Sequence, residues 1–303
     1  MLLALAIVAA LAPRLAPYDP PQANDPTFFV QRFSEAHSPP FWDRPGDDSA
    51  TDRDDIFEER HLPYDPRYVL GTDRERRDML SLLLYGTRYS LAIGLLAVAL
   101  VAVVGAALGL AAGWLSGVWE DLVMRSADLA DAVPPVVSTM VIALVVSDPL
   151  RSGLASIGLP LGAVPVAALV LSCVGWAPVA RLVRGQVLGL KGADWVLAAR
   201  ATGVPNRRIA LRHILPHAVG AVLVAASSQL PAILLVEGLL ERLEVGNRPP
   251  VETLGELIFQ EFAETVNSPV FVLMPTALLL AISLGASALS DGVQKALDPQ
   301  AGR

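Results

Sequence analysis

Arg200, Arg207, Arg208 and Arg212 crowd together with His213 and His217 between long apolar runs. Such a basic segment between spans is either a docking surface or a solvated loop that satisfies the positive-inside rule. Two imidazoles four residues apart can share one helix face as metal ligands, but Pro216 lies between them and the surroundings are basic. A phosphate-binding loop needs glycines for backbone approach and a lysine ahead of Ser or Thr. The only lysines, Lys191 and Lys295, follow no such loop, so the chain does not hydrolyse nucleotide by that mechanism. The sequence has no paired-His motif and no Gly-x-Ser-x-Gly elbow, and His37 and His61 stand apart. A single cysteine, Cys173, excludes an internal disulfide and a cysteine metal site, and its apolar run reads it as a small buried hydrophobe. These residue types point to contact with a partner, and not to catalysis.

The elements that would position them follow from residues 193–218, ADWVLAARATGVPNRRIALRHILPHA. Asp194 to Ala201 contains good helix formers. Gly203 permits a turn at positive φ. Pro205 is tolerated in the first turn of a second short helix, which carries Arg207 and Arg208. Pro216 lies near the start of the next apolar run. The expectation is a helix–turn–helix elbow with the small residues Ala198 and Ala199 on one side, held between two membrane spans. Small side chains let such an elbow sit deep in another protein's groove.

The rest of the chain reads as membrane. Of 303 residues, 53% are hydrophobic, and the mean hydropathy is +0.49. Several runs approach the roughly 20 residues that cross a bilayer as a helix. Spans are expected near 1–17, 88–115, 133–150, 160–182, 214–238 and 267–289, so the fold class is an all-α polytopic membrane protein with about six transmembrane helices. Residues 176–216 hold six Arg and one Lys against Asp194 alone. The positive-inside rule places this stretch in the cytoplasm and, with six spans, both termini as well. Residues 17–78 hold 15 acidic residues and 8 Arg, and fall outside. That acidic segment is expected to be a solvated loop or a partner-facing element, with a short charged helix at 52–60. The first span contains Arg14, and a cleaved signal peptide ending near Ala12 is its alternative. Residues 71–87 fit an amphipathic interfacial helix, with Met79, Leu80, Leu83 and Leu84 facing lipid and Arg and Asp in water. Asp128, Asp131, Asp148, Arg151, Arg181 and Glu237 lie near span ends, where reaching water costs little.

The residues also carry a family resemblance. Ala198-Ala199, then Gly203, then His213-Ile214-Leu215-Pro216 resembles the EAA signature of ABC importer permeases, EAA-x3-G-x9-I-x-LP. Leu70-Gly71-Thr72-Asp73, Arg77-Asp78 and Leu83 to Ser90 resemble a stretch typical of the dipeptide/oligopeptide permease group. So do Met124-Arg125 with Asp128 and Pro134, Gly175-Trp176 through Val187, Glu237 with Gly246 and Pro249-Pro250, and Asp291-Gly292 with Ala296 to Pro299. The likeness covers roughly residues 70–300. The chain departs from the pattern at four places: Leu197 stands where the signature has Glu, His213 where it has Ile, and Arg76 where the group has Gly. Glu241 to Glu244 replaces a Ser-Phe-Leu-Gly stretch.

The resemblance implies the type I ABC importer permease fold, in a bacterial-type inner membrane. It implies a channel formed with a second homologous permease, two ABC ATPases that bind ATP and magnesium, and an extracytoplasmic substrate-binding protein; no cofactor is expected in this chain, and no nucleic acid. It also makes 193–213 a coupling helix docked in an ATPase cleft, with Asp194, Ala198, Ala199, Gly203, Arg207, Arg208 and Pro216 as the coupling residues; the contact of the missing Glu is either lost or supplied by Asp194. The expected organisation is a first transmembrane helix at 1–17, an extracytoplasmic segment at 18–87, a permease core at 88–290 and a cytoplasmic tail at 291–303. Di- or oligopeptides lead as substrate, with nickel chelates or another small solute as the alternative. A secondary carrier would need charges at mid-membrane depth and spans interrupted in paired positions. A membrane scaffold or sensor is the remaining reading of a different class.

Overall fold

The computed structural model describes residues 6–17 apart from 8, then 69–71, 73, 77–156, 162–243, 245, 252–261 and 269–297. The elements are α1 (Ala12–Leu15), α2 (Met79–Leu115), α3 (Val118–Ala132), α4 (Pro135–Ser156), α5 (Ala163–Lys191), α6 (Asp194–Ala201) and α7 (Asn206–Arg208). A π-helical turn, Ile209–Ile214, leads into α8 (Leu215–Ser227), α9 (Leu230–Arg242), α10 (Leu254–Glu261) and α11 (Pro269–Leu297). The described residues contain no strand. Among the described residues, five helices are long and apolar enough to cross a membrane: Met79–Leu115, Pro135–Gly153, Ala163–Lys191, Asn206–Ser227 and Pro269–Lys295. Residues 1–5 and 8 of the span expected at 1–17, and nearly all of the acidic segment, including 52–60, lie outside the described residues.

The helix pair α2–α5 is the spine. Gly105, Gly109 and Gly113 recur every four residues and so line one face of α2. A methyl group on Gly109 would lie 2.4 Å from the Ala180 carbonyl oxygen, and one on Gly105 or Gly113 would meet Val179 or Val187 at 2.6–2.7 Å. Only a bare backbone fits there. In lipid, hydrophobic burial does not drive helices together, so this close van der Waals approach takes its place. Val179, Ala180, Val183 and Val187 are fully buried along the seam.

The sequence places an interfacial helix at 71–87, but the structure continues α2 without a break from Met79. Met79 and Leu83 are buried against Leu254, Leu257 and Phe271 and do not face lipid. Asp73, Arg77 and Asp78 are buried as well. Arg77 explains why they can be. Its Nε donates to Asp73 at 2.6 Å, Nη1 to Glu252 at 2.7 Å and Nη2 to Gln260 at 3.2 Å. Burial pushes the Asp73 carboxyl above its ordinary range, and Arg77 draws it back. Asp78 caps α2, accepting from the Ser81 amide at 2.8 Å.

The span expected at 214–238 is broken after Ser227 by a turn at Ser228-Gln229, and α9 then packs against α10. Gly238 and Gly255 make this crossing backbone to backbone, since a methyl group on Gly238 would lie 2.2 Å from the Gly255 carbonyl carbon. Thr253 caps α10 and donates its hydroxyl to Glu241 at 2.7 Å, while the Leu254 amide donates to Ser90 at 2.9 Å. Glu237, expected at a watery span end, is only 5% exposed. Cys173, expected to be buried, is exposed on the outer face of α5. The last helix, α11, runs through Asp291 to Leu297, into the stretch expected as a tail.

Gly109→Val puts a branched side chain against a carbonyl that cannot move, an overpacking cost of about 1–3 kcal/mol or more. Gly185 has open space around its Cβ position, so Gly185→Ala is the matched control. Thermal unfolding in detergent is expected to show a lowered midpoint for Gly109→Val and none of that loss for Gly185→Ala.

Candidate coupling site

The elbow forms as the residue pattern predicts, and the reason is local. Helix α6 ends in a turn where Gly203 has φ +80°. The Val204 amide donates to Ala199 O and the Gly203 amide to Arg200 O, each at 3.0 Å. This pairing is the Schellman arrangement, which needs a left-handed residue at Gly203's position. No atom lies within 4 Å of a methyl group placed there, so backbone conformation, not space, demands glycine. Pro205 is the N-cap of α7, one residue before the helix.

The elbow has two faces. Val196, Ile209 and Ile214 are fully buried in the main core. Ala198, Arg207, Arg208, Arg212 and Pro216 are exposed. Leu197, at the position of the signature Glu, is 51% exposed. Asp194 sits in the first turn of α6, where the positive end of the helix dipole favours a carboxylate. Ala199 is half-buried between the faces. The exposed predicted residues therefore share a surface backed by packed side chains.

Sequence reasoning missed how that surface is braced. Lys191 ends α5 and donates to Trp114 O at 2.9 Å, Gly113 O at 3.3 Å and Ser116 Oγ at 2.7 Å. It satisfies carbonyls left open at the end of α2, where a cation also complements the dipole. The Arg200 guanidinium lies 4.9 Å from the centre of the Trp114 ring, and Lys191 Nζ 5.8 Å. On the other side, Trp195 stacks on His217 at 5.5 Å, tying α6 to α8. His217 Nδ1 lies 2.8 Å from His213 O, which turns the ring to its own helix. No group of three or more metal-ligating side chains occurs among the described residues. A lysine in the last turn of a span reads as a cap for its own helix, and so gives no sign that it reaches the end of α2. The Trp114–Arg200 pairing spans distant sequence and gives none either.

Further charge pairs fasten α5 to α3. Arg181 bonds Asp131 and, at 2.9 Å, Asp128. Arg184 bonds Glu120, with Nε at 2.8 Å. Three of the residues expected to reach water at span ends are thus paired with one another.

A bundle of membrane-crossing helices that carries a braced, basic elbow defines a membrane permease subunit, not an enzyme. Residues 105–303 match the family described as binding-protein-dependent transport system inner membrane component, and the chain belongs to that family of ABC importer permeases. Such permeases work with a separate ATPase and a binding protein. The chain is 30% identical over 265 residues to the dipeptide transport system permease protein DppC of Lactococcus lactis subsp. cremoris, covering 86% of this chain and 73% of that one. It is 31% identical to the glutathione transport system permease protein GsiD of Pectobacterium atrosepticum, over 76% of this chain and 72% of that one. Among solved structures, an inward-facing methionine ABC transporter, MetNI, aligns with a TM-score of 0.58 at 17% identity, covering 73% of this chain and 98% of that one. That last likeness concerns the fold.

The brace predicts a measurable rigidity. Trp114→Ala combined with Lys191→Met removes the cation–π contacts and the charged hydrogen bonds, worth about 1–3 kcal/mol together. Hydrogen exchange of the α6 amides is expected to quicken by about tenfold or more, with the middle of α5 unchanged.

Proposed function

We propose that this chain is one half of the translocation channel of an ATP-driven importer for small peptides, and that the 193–213 elbow is its coupling element. A second homologous permease supplies the other half, and two ATPases bind ATP and magnesium on the elbow side. The basic elbow faces the cytoplasm by the positive-inside rule, which puts the α9–α10 hairpin on the side where a binding protein delivers substrate. The peptide class rests on the relatives, several of which are named for dipeptide or oligopeptide transport, while the glutathione permease also handles a small peptide.

The observation that carries the coupling reading is the pairing of an exposed face with a buried back. Ala198 and Leu197 present a small apolar surface to a groove, and Arg207 and Arg208 flank it with positive charge. Behind them Val196, Ile209 and Ile214 are packed solid, and Trp114 and His217 hold both ends. Movement imposed on the face therefore passes to α2 and α8, and is not absorbed by a soft loop. Closure of the ATPases favours one membrane conformation because the elbow makes different contacts in the two states. Leu197 replaces the carboxylate of the signature with apolar surface, so the docking contact here relies on burial, with Asp194 the nearest acid in sequence.

Gly203→Val forces a β-branched residue into a left-handed conformation, at roughly 1–2 kcal/mol. The double reversal Arg207→Glu with Arg208→Glu changes only the exposed face. Both variants are expected to insert in the membrane, and to lose most peptide transport per ATP hydrolysed in proteoliposomes. Normal transport in both would contradict the coupling assignment.

A further inference from the structure

A small cleft opens midway along the bundle, beside α5. Its volume is about 170 Å³, and Asp131, Thr139, Gly175, Pro178, Gln229 and Ile233 are among its lining residues. Three interruptions of regular helix meet here. The α3–α4 junction at Val133-Pro134 adjoins it, the α8–α9 break at Ser228-Gln229 forms one wall, and Pro178 sits inside α5. Proline has no N–H, so the Val174 carbonyl, also at the cleft, lacks its helical donor. Interrupted backbone at membrane depth is tolerated only where it is buried in protein or lines a watery cavity. Here it lines a cavity with apolar walls and a few polar groups.

The polar groups fit one chemistry. The Gln229 side chain is half-buried and makes no hydrogen bond to a described residue. It offers both a donor and an acceptor, as a peptide bond requires. Thr139 donates its hydroxyl to Pro135 O at 2.6 Å, which leaves its oxygen lone pairs to accept. One guanidinium, Arg181, is shared by two carboxylates, Asp128 and Asp131, so the group carries one surplus negative charge. Asp131 stands at the cleft with its side chain 48% exposed. The apolar remainder, Ile233 and Pro178, suits a small side chain. Complete ligand pockets occupy about 300–1,000 Å³, so this is half a site, closed by another wall.

We propose that the cleft receives the amino-terminal residue of the peptide in transit, with Asp131 meeting its ammonium group and Gln229 its first peptide bond. The second permease supplies the facing wall. The assignment rests on the peptide-importer reading.

The test uses the assembled transporter, with its second permease, ATPases and binding protein, in proteoliposomes carrying radiolabelled trialanine. Loss of one hydrogen bond to a charged group corresponds to about tenfold. Asp131→Asn and Gln229→Leu are each expected to lower trialanine moved per ATP hydrolysed by about that factor, and Asp131→Glu to restore most of it. Wild-type ratios in both variants would overturn the cleft assignment while leaving the importer reading intact. Loss of the second permease on purification of both variants would also overturn it, making the cleft a subunit contact. A wild-type assembly that moves no trialanine would overturn the peptide reading and this proposal together.

Discussion

The close contact of α2 with α5 sets the geometry of everything else. Gly105, Gly109 and Gly113 let α5 approach until Val179, Val183 and Val187 touch bare backbone. With no side chain to slide over, the two helices have one register. That register places Lys191 at the open carbonyls of Gly113 and Trp114, and so fixes where α6 begins. It also sets Pro178 at the level of the α8–α9 break and turns Arg181 and Arg184 toward α3. The elbow and the mid-bundle cleft are both consequences of one seam of small residues.

The two ends of the bundle are held by different physics. At the elbow end, cations cover an aromatic ring and cap carbonyls close to water. Such contacts are individually modest, and several together hold the elbow to the end of α2. At the opposite end, Arg77 joins Asp73, Glu252 and Gln260 in a buried network that ties α10 to the start of α2. Removing one partner from such a network leaves a buried charge uncompensated, and that costs several kcal/mol. The glycine crossing of α9 with α10 adds close packing to this end. Both ends are thus fastened to the rigid α2–α5 pair, one by cations on carbonyls and a ring, the other by a charge network.

Much of this was readable from residue types. Long apolar runs announced the helices, and Gly203 and Pro205 announced the turn, because backbone chemistry at those positions is local. Other features depended on contacts between distant residues. Arg77 read as a water-facing residue because charge at a span entrance normally is; two of its three acceptors lie at 252 and 260, far along the chain. Met79 and Leu83 read as lipid-facing because hydropathy does not distinguish lipid from a neighbouring helix. The same blindness hid the exposure of Cys173. The α8–α9 break carries Pro231 and Gln229 as faint signals, yet the surrounding run is apolar enough to pass for one span. The signature's own site is the reverse case: position 197 was recognised by family pattern, and the structure shows the leucine there exposed beside Ala198.

The central claim is that the elbow and the α2–α5 pair move as one body. Spin labels at Thr202 and at Leu95, on the exposed face of α2, measure that directly by pulsed electron–electron resonance in the assembled transporter. Between the nucleotide-free and the vanadate-trapped states, the distance between these two labels within one chain should stay the same. The distance from Thr202 to a label on the second permease's own elbow should change by several ångströms. A change of that size within the chain, with the distance between the two permeases unaltered, would contradict the account.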